Sequence, residues 1–354
     1  MNEKTPDQMG DEIKNNSEIL FIYEAKMCNP NGDPDDENKP RMDYNRNINL
    51  VSDVRLKRYI RDYLMDYKGE TIFVSKSEGS LVNAKTSLAT ILDIENKAKI
   101  SINSEEVKTF LNKAIDVRMF GAIVPDVTFK DGKGNVTFTG PIQFNWGYSL
   151  NKVTGPMESS GITSHFQTGK ITEEEESTKG SGAMGKDYRV DYSIIAFHGI
   201  ISAKRAEHTG LKTTDIDLFD EAMIKSIPLE ATTRSKIGQN PLLYIRVEYN
   251  NPEFFLCDFR KYVEIKPINE DCKSDTSKLR STKDYKLDLS KLKEKLNEQK
   301  DKLKEIRFWK DEDLQITGFD ELTEGGTWEY KEDGKEEKTR EIKFISLPSP
   351  SKTG

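Results

Sequence analysis

The sequence is poor in the features that mark secreted, metal-stabilised or membrane-spanning proteins. It has three cysteines in 354 residues, Cys28, Cys257 and Cys272. Their odd number and wide spacing exclude a disulfide framework and a four-cysteine zinc site. No apolar run approaches the roughly 18 residues that a membrane-spanning helix needs, and the N-terminus lacks the basic and apolar regions of a signal peptide. We therefore expect a cytoplasmic protein with no membrane partner.

The chain is equally poor in recognisable catalytic motifs. It has three histidines, His165, His198 and His208, and none has the spacing of a metalloprotease or a nucleophile–histidine site. His198 lies within an apolar strand pattern, which favours a packed residue over a base. GSGAMGKD at 180–187 has the spacing of a phosphate-binding loop, but Asp187 stands where the magnesium-binding Ser or Thr belongs. We therefore predict no catalytic residue, no metal site and no cofactor.

Charge is unevenly distributed along the chain. There are 54 basic and 61 acidic side chains, a net charge of −7, which taken alone argues against nucleic-acid binding. Residues 311–337 hold eleven of the acids and two lysines, so that the rest of the chain carries 52 basic and 50 acidic groups. Because binding depends on local potential, the total leaves nucleic-acid binding open. An acidic exterior would also limit stray nucleic-acid binding.

Apolar periodicity predicts a protein of mixed α and β structure. Strands are predicted at 19–27, 127–130, 136–139, 142–150, 189–202, 242–249 and 254–265. Helices are predicted at 53–67, 104–114, 214–226 and 288–307. The order strand, helix, several strands, helix, strands is typical of an α+β ferredoxin-like (RRM-like) core with large insertions and with its helices on one sheet face.

Basic side chains cluster around the first predicted helix. Arg41 and Arg46 lie in the loop before it, and Lys57, Arg58 and Arg61 fall on the arc opposite its apolar face. We expect that arc to be exposed. Such a surface can bind a phosphate backbone without reading base sequence. Ordinary solvation of a helix face explains the same pattern, so charge alone leaves both interpretations open.

The loop and helix together carry a resemblance to a known family. NPNGDPDDENKPRMDYNRNINLVSDVRLKRYIRDYL at 29–64 resembles the signature of Cas family seven, the backbone subunits of Cascade, in its type I-B and I-C branch. Four further stretches follow in the expected order: IDVRMFGA at 115–122, GPIQFNWGYSLN at 140–151, GKDYRVDYSIIAFHGIIS at 185–202 and TTRSKIGQNPLLYIRVEY at 232–249. The resemblance spans residues 18–265, and the first block is the most specific part of it.

The resemblance implies an architecture and a role. It implies an RRM-like core (18–69 and 116–269), a finger (70–115) and a thumb (156–187). The residue pattern outside the resemblance predicts a flexible N-terminus (1–17) and a C-terminal amphipathic helix with an acidic extension (270–354). Copies would stack head to tail as a filament along a CRISPR RNA and present the spacer for pairing with target DNA. The implied partners are this RNA, further copies of the chain and other Cascade subunits, and the implied role is non-catalytic.

The resemblance also implies which residues contact RNA. A backbone subunit must accept any spacer, so its contacts should go to phosphate and sugar. The residues expected to bind or shape the RNA site are Asn29, Asn31, Gly32, Arg41, Arg46, Lys57, Arg58, Arg61, Arg118, Arg234 and Lys236. Phe166, near the thumb, would either wedge against a base or form a hydrophobic hinge contact.

Two alternatives remain open. Asp33, Asp35 and Asp36 occupy a stretch similar to the loop whose aspartate cuts RNA in type III complexes. That similarity makes an RNA-cleaving backbone subunit the enzymatic alternative. The same carboxylates together with Glu37 could hold magnesium, although such a cluster is more typical of a solvated turn. The other alternative is an unrelated acidic metabolic protein whose motif similarity is accidental.

Overall fold

The computed structural model describes residues 10–77, 80–81, 83–95, 100–130, 135–163, 184–331 and 339–349. Its strands are β1 (Ser17–Cys28), β2 (Gly32–Asp33), β3 (Lys39–Pro40), β4 (Met42–Asp43), β5 (Ile48–Val51), β6 (Lys76–Ser77), β7 (Ser80–Leu81), β8 (Ile100–Ile102), β9 (Gly121–Phe129), β10 (Asn135–Thr139), β11 (Ile142–Phe144), β12 (Gly147–Ser149), β13 (Met157–Thr163), β14 (Met184–Ile201), β15 (Gln239–Tyr249), β16 (Glu264–Pro267), β17 (Tyr285–Asp288), β18 (Leu303–Lys310), β19 (Ile316–Thr317), β20 (Gly326–Lys331) and β21 (Thr339–Ser346). Its α-helices are α1 (Asp53–Lys68), α2 (Ala84–Ile91), α3 (Ser104–Lys113), α4 (Ile115–Phe120), α5 (Ala203–Thr209), α6 (Thr213–Glu230), α7 (Glu270–Ser274), α8 (Ser290–Glu298) and α9 (Glu321–Glu324). Short 3₁₀ helices lie at Phe259–Tyr262, Thr276–Lys278, Thr282–Asp284 and Lys300–Lys302.

β1 is a central strand of a large mixed sheet. The four successive apolar residues 19–22 are buried, which suits a strand covered on both faces. β1 pairs antiparallel with β14, where Phe21 lies opposite Phe197, and with β15, where Phe21 lies opposite Tyr244. Among the described residues the strand order is β20-β21-β18-β15-β1-β14-β12-β5-β4, and β11 and β13 also pair with β14. β18 and β21 run parallel, which makes this α+β protein's sheet a mixed one.

Alternate residues of β1 face two different layers, because side chains two apart share one face of a strand. Ile19, Phe21 and Tyr23 lie in an apolar core with α1 and α6. Leu20 and Ile22 lie in a second core with β17, α8 and β18. The centre of the sheet is therefore covered on both faces, by helices on one side and by C-terminal elements on the other.

The C-terminal layer differs from the helix predicted over 288–307. α8 ends at Glu298, and a 3₁₀ turn leads into β18. Leu296 is buried on the helix, whereas Ile306 is buried on the strand, opposite Val247 of β15. The helix predicted beyond Glu298 is wrong because pairing with β15 selects an extended conformation, and side-chain spacing alone does not reveal that partner.

The segment 254–265, predicted as a strand, is mostly irregular. The carboxylate of Glu18 accepts hydrogen bonds from the backbone N–H groups of Leu256 and Cys257 at 2.5 and 2.9 Å. The side chain of Asp258 caps the 3₁₀ helix that follows. Because side chains satisfy this backbone, the segment does not need a neighbouring strand. The predicted strand is wrong, and β16 begins only at its end.

A smaller lobe with its own core follows α1, and we use that name for the described part of 71–139. β8, β9 and β10 form a three-stranded sheet against which α2 and α3 pack. Phe110 is fully buried in this core. The helix predicted at 104–114 is confirmed as α3. The strands predicted at 127–130 and 136–139 are confirmed as the antiparallel pair β9 and β10.

Most other predicted elements are confirmed, with ends that shift by a few residues. The strands predicted at 19–27, 189–202 and 242–249 are β1, β14 and β15, and the helices predicted at 53–67 and 214–226 are α1 and α6. The strand predicted at 142–150 is interrupted, because Asn145 and Trp146 separate β11 from β12. Within the described ranges, every helix is too short or too polar to cross a membrane.

Candidate nucleic-acid interface

Three segments that are distant in sequence meet where β1 finishes, at a surface that we call the β1 end. They are the loop 29–52, the turn 232–238 before β15 and the start of β14. The backbone N–H of Asn29 donates to the carbonyl of Ser235 at 2.7 Å. The guanidinium of Arg189 donates to the carbonyl of Met27, also at 2.7 Å. These contacts join the segments into one continuous surface.

The loop after β1 is shaped by two asparagines and a glycine from the predicted set. The side chain of Asn29 donates to the carbonyl of Asn38 at 2.7 Å. The side-chain oxygen of Asn31 accepts from the backbone N–H and the hydroxyl of Ser52 at 2.8 and 2.9 Å. A Cβ on Gly32 would lie 2.0 Å from the side-chain oxygen of Asn38, so a larger residue would displace that side chain. The loop is therefore fastened to the start of α1.

Seven cationic side chains line the β1 end, and we call them the cationic rim. They are Lys39, Arg41, Arg46, Lys186, Arg189, Arg234 and Lys236. Arg46 and Arg234 are the most exposed arginines of the rim, with 77% and 60% of their side chains accessible. Arg41 is more enclosed and donates to the carboxylate of Asp33 at 2.9 Å. Ion pairs at such exposed positions are weak, so these cations can exchange a carboxylate for another anion.

Asp187 orients two arginines of the rim. It accepts from Arg189 at 2.8 and 2.7 Å, and it lies 3.5 Å from the guanidinium of Arg234. Arg189 also donates to the carbonyl of Arg234 at 3.3 Å. The aspartate that breaks the phosphate-loop pattern thus serves as a buried counterion that fixes the direction of neighbouring cations.

The acidic residues of the loop are counterions of the rim lysines. The hydroxyl of Tyr188 donates to Glu37 at 2.6 Å, which lowers the pKa of that carboxyl, and Lys186 contributes further. Hydrogen bonds to Tyr188 and to Asp36 raise the pKa values of Lys186 and Lys39, respectively. Across the part of the chain that the structure describes, no cluster of three or more His, Cys, Asp or Glu side chains is placed to hold a metal ion.

Lys236 differs from the other rim cations because its amine is largely buried. Its Nζ donates to the carbonyl of Asn29 at 2.6 Å. Burial lowers the pKa of Lys236 to about 8, and repulsion by Arg55 acts in the same direction. An anion bound nearby would favour the protonated amine and raise this pKa again.

Two cations predicted on an exposed face of α1 are buried instead. Lys57 donates to the side chain of Gln143 at 2.9 Å, and Arg61 donates to Asp116 at 3.0 Å. Their charged groups also lie 5.7 and 5.1 Å from the ring centroid of Phe120. The prediction of exposure is wrong for both residues, because helical periodicity separates the faces of a helix but does not show that the smaller lobe packs on the second one.

The remaining predicted arginines differ in burial. Arg58 is half-buried and donates to Asp62 one turn along α1, at 2.8 Å. Arg118 is buried and donates to Asp215 at 2.9 and 2.8 Å. It also donates to two carbonyls near the end of α3, at 2.7 and 2.6 Å. Arg118 thus joins the smaller lobe to α6, at a distance in the fold from the β1 end.

Sequence reasoning missed Arg189 of this surface and two residues that border the loop, Trp146 and Arg260. Arg189 lies at the base of β14, and Trp146 lies between β11 and β12 with its ring 5.8 Å from the guanidinium of Arg41. Arg260 donates to the carbonyl of Trp146 at 2.7 Å. Arg189 and Trp146 fall within the stretches that carry the family resemblance. The contacts that place them at this surface join segments far apart in sequence.

One residue of the predicted RNA site has no described position. Phe166 lies outside the described residues, as do positions 164–183 of the thumb predicted at 156–187. The described strands on either side of that segment, β13 and the start of β14, pair antiparallel, with Met157 opposite Arg189. The base of the predicted thumb therefore adjoins the cationic rim.

Comparison with known proteins gives consistent findings. The family model for CRISPR-associated protein Cas7 matches residues 15–290. A relative from Haloferax volcanii, named CRISPR-associated protein Cas7, is 32% identical over 319 residues, which are 87% of this chain and 90% of the relative. The chain is also similar to a chain of a solved CRISPR RNA-guided surveillance complex, with a TM-score of 0.46, 14% identity, and coverage of 84% of this chain and 89% of the other. A second such complex, described as pre-nicking, gives a TM-score of 0.49 at 12% identity, with coverage of 85% and 95%.

Proposed function

The chain belongs to the Cas7 family of CRISPR-associated proteins, and on that premise we propose that it is a backbone subunit of a Cascade-type surveillance complex that holds guide RNA along the cationic rim. The observation that carries this proposal is the convergence at the β1 end. There the loop from the most family-like stretch, 29–64, meets the turn 232–238 in one basic surface. We propose that the subunit is not itself an enzyme.

We propose that the centre of the protein is a ferredoxin-like (RRM-like) core made of β1, α1, β12, β14, α6 and β15. The support is their arrangement in the order strand, helix, strand, strand, helix, strand, with both helices in the core on one face of an antiparallel sheet. The opposite face carries the C-terminal layer. RNA would therefore bind at the end of the sheet and not across its face.

A backbone subunit has to accept any guide sequence, and the chemistry of the rim suits that requirement. Guanidinium and ammonium groups bind phosphate oxygens, which carry no sequence information. The base edges would stay free to pair with a target strand. The side-chain exposure of Arg46 and Arg234 leaves room for such contacts.

The predicted RNA-binding residues separate into two groups under this proposal. Those proposed to contact phosphate are Arg41, Arg46, Arg58, Arg234 and Lys236, with Asn29, Asn31 and Gly32 holding the loop beside them. Those in buried pairs are Lys57, Arg61 and Arg118, and for them we propose a supporting role within the fold. Phe166 remains a proposed wedge or hinge residue of the thumb.

The assembly is part of the same proposal. Copies of the chain would stack along the RNA, the segments 70–115 and 156–187 would serve as finger and thumb, and other Cascade subunits and target DNA would join through the guide. The proposed compartment is the cytoplasm. The enzymatic alternative has no observation in its favour, since Asp33 accepts from Arg41 and Asp36 from Lys39.

The test is charge reversal at two exposed members of the rim. The double variant Arg46→Glu, Arg234→Glu should weaken binding of single-stranded RNA by roughly tenfold or more, equally for unrelated sequences. It should also reduce the magnitude of the slope of log K against log salt by about one to two, because about two phosphate contacts are lost. The measurement is fluorescence anisotropy with several RNA sequences over a range of salt concentrations.

Lys204→Glu is the matched control for this test. Lys204 is exposed on α5, directly after the far end of β14, a strand that starts at the rim and runs for 18 residues. Reversing the charge at Lys204 should leave the RNA affinity and its salt dependence unchanged. Loss that depends on base sequence, or equal loss in the control, would contradict the proposed phosphate contacts.

A further inference from the structure

Trp146 is exposed where a tryptophan would ordinarily be buried. It is 43% accessible, whereas Trp309 and Trp328 are each 7% accessible and lie in apolar cores. A tryptophan ring is the largest apolar side chain, so leaving it in water forgoes a sizeable stabilisation. The position of Trp146 in the two-residue break between β11 and β12 therefore calls for an explanation other than core packing.

The turn that carries Trp146 is held firmly by polar contacts. Its backbone N–H donates to the side chain of Asn145 at 2.7 Å, and its carbonyl accepts from Arg260 at 2.7 Å. Arg260 is buried, donates twice to Asp258 at 2.9 and 2.7 Å, and lies 4.4 Å from the ring centroid of Tyr148. The backbone that carries the exposed ring is therefore held in place by the buried side chain of Arg260.

The ring also lies beside a cation of the rim. The guanidinium of Arg41 is 5.8 Å from the ring centroid of Trp146, and Asp33 fixes that guanidinium at 2.9 Å. An exposed aromatic ring next to a cation, on a rigid turn at the edge of a basic surface, is the arrangement by which proteins bind single-stranded nucleic acid. In such an arrangement a base stacks on the ring, and the cation binds the adjoining phosphate.

We infer that Trp146 is a stacking platform for one base of single-stranded RNA that extends from the β1 end past Arg41. This inference rests on the proposed function and adds a site to it. Stacking accepts every base, because each has a π face. It also leaves the Watson–Crick edge free, so a base held in this way still suits a subunit that presents its RNA for pairing.

The test compares Trp146→Ala and Trp146→Phe in the full chain, freed of any retained nucleic acid. The probes are a mixed-sequence single-stranded RNA and the same sugar–phosphate strand without bases. We expect Trp146→Ala to bind the complete RNA about 5- to 100-fold more weakly, and Trp146→Phe to keep most of the affinity. On the baseless strand the three proteins should bind equally. RNA should also quench tryptophan fluorescence in the unaltered chain but not in Trp146→Phe.

Ile123→Ala is the control, because Ile123 is an apolar residue of the smaller lobe that is 67% exposed. It should bind both strands as the unaltered protein does. Equal affinity of Trp146→Ala and the unaltered chain for complete RNA would overturn the inference and leave the proposed function intact. Equal losses on both strands would also overturn it, since they would indicate a backbone contact. Failure of the unaltered chain to bind either strand would overturn both.

Discussion

Some cationic side chains of this protein form buried ion pairs, whereas others are exposed. Their burial and the distance to their counterions distinguish the two groups. Arg61 and Arg246 are buried and face the carboxylates of Asp116 and Asp220. Arg234 is exposed and lies 3.5 Å from its counterion. A buried cation that is paired with a carboxylate has a structural role, because removing either partner leaves an uncompensated charge in an apolar environment. An exposed one remains available to a ligand.

Lys236 lies between these extremes and provides a pH-dependent prediction. With its pKa lowered to about 8 by burial, the amine loses its proton as the pH rises through the neutral to alkaline range. RNA affinity should therefore fall by roughly two- to tenfold between about pH 7 and about pH 9. The neighbouring thiol of Cys28 does not contribute, because burial raises its pKa to about 12. Anisotropy titrations at constant ionic strength measure the effect.

Lys236→Arg supplies the comparison for the pH prediction, because a guanidinium stays protonated throughout this range. The variant should bind RNA with an affinity that is flat over the same interval. The lysines at 39 and 186 should not titrate there, since their hydrogen bonds raise their pKa values. An unaltered pH dependence in Lys236→Arg would mean that another group is responsible.

At the scale of elements, the attachment of the smaller lobe to the core depends on Arg118. Its guanidinium joins α4, the end of α3 and the first turn of α6 through four hydrogen bonds. Arg118→Met should reduce the free energy of unfolding by about 3–5 kcal/mol, because Asp215 is left buried and unpaired. Urea denaturation measures this loss, and RNA binding under native conditions should be retained.

Lys204→Met is the corresponding control, since Lys204 forms an exposed pair with Glu207 within α5. That pair should contribute less than about 1 kcal/mol. If Arg118→Met were as stable as this control and bound RNA poorly, Arg118 would be a phosphate contact and not a structural one.

The elements that the sequence predicts well are those whose pattern has one explanation. α1 has an N-cap serine, an apolar stripe and a C-terminal glycine in the left-handed conformation, and β1 begins with a short run of apolar residues that is typical of a strand covered on both faces. β18 was missed because Leu303 and Ile306 continue a leucine spacing that also fits a helix. The strand forms because β15 offers an unpaired edge, and that edge is absent from the local sequence.

The candidate site was predictable to a similar extent. The loop residues 29–46 and the turn 232–238 were found from the family resemblance, and the structure brings them together. Lys57 and Arg61 were misassigned to solvent because an amphipathic pattern does not show which lobe covers the polar face. Trp146 was missed because its environment comes from Arg41 and Arg260, which are far away in sequence.

At the scale of the whole molecule, the C-terminal layer covers one face of the sheet, so the proposed RNA path is confined to the end of the sheet. The strands of this layer extend the sheet, and its side chains cover the face opposite α1 and α6. The described part of the acidic stretch, 311–331, contributes to this layer, since Phe319 and Trp328 stack at 5.7 Å in its core. The amphipathic helix and acidic extension predicted for 270–354 therefore include a packed layer, and deletion of 311–337 would expose apolar surface.

The acidic stretch begins near the rim, which gives a local test of its effect on RNA. The backbone N–H of Asp311 donates to the carbonyl of Leu242 at 2.9 Å, three residues into the strand that follows the turn 232–238. Glu312 and Asp313 are exposed there. Leu242 lies four residues beyond the end of that turn, roughly 13 Å along a strand. At one to two Debye lengths in about 0.1 M salt, the charges of Glu312 and Asp313 would still oppose RNA bound to the rim. Glu312→Gln, Asp313→Asn should therefore raise affinity for unrelated RNA about two- to threefold at low salt.

The comparison variant, Glu253→Gln, Asp301→Asn, changes the net charge equally at the opposite end of the sheet. Both residues are exposed. Glu253 follows the end of β15, and Asp301 precedes β18, where the carbonyl of Asp301 accepts from Asn250 at 2.7 Å. RNA affinity should not change in this variant, because several Debye lengths separate these charges from the rim. Equal gains in both variants would show that net charge acts as a whole. A gain confined to the first would place the boundary of the RNA path at β15, because only there would a local carboxylate oppose the phosphates.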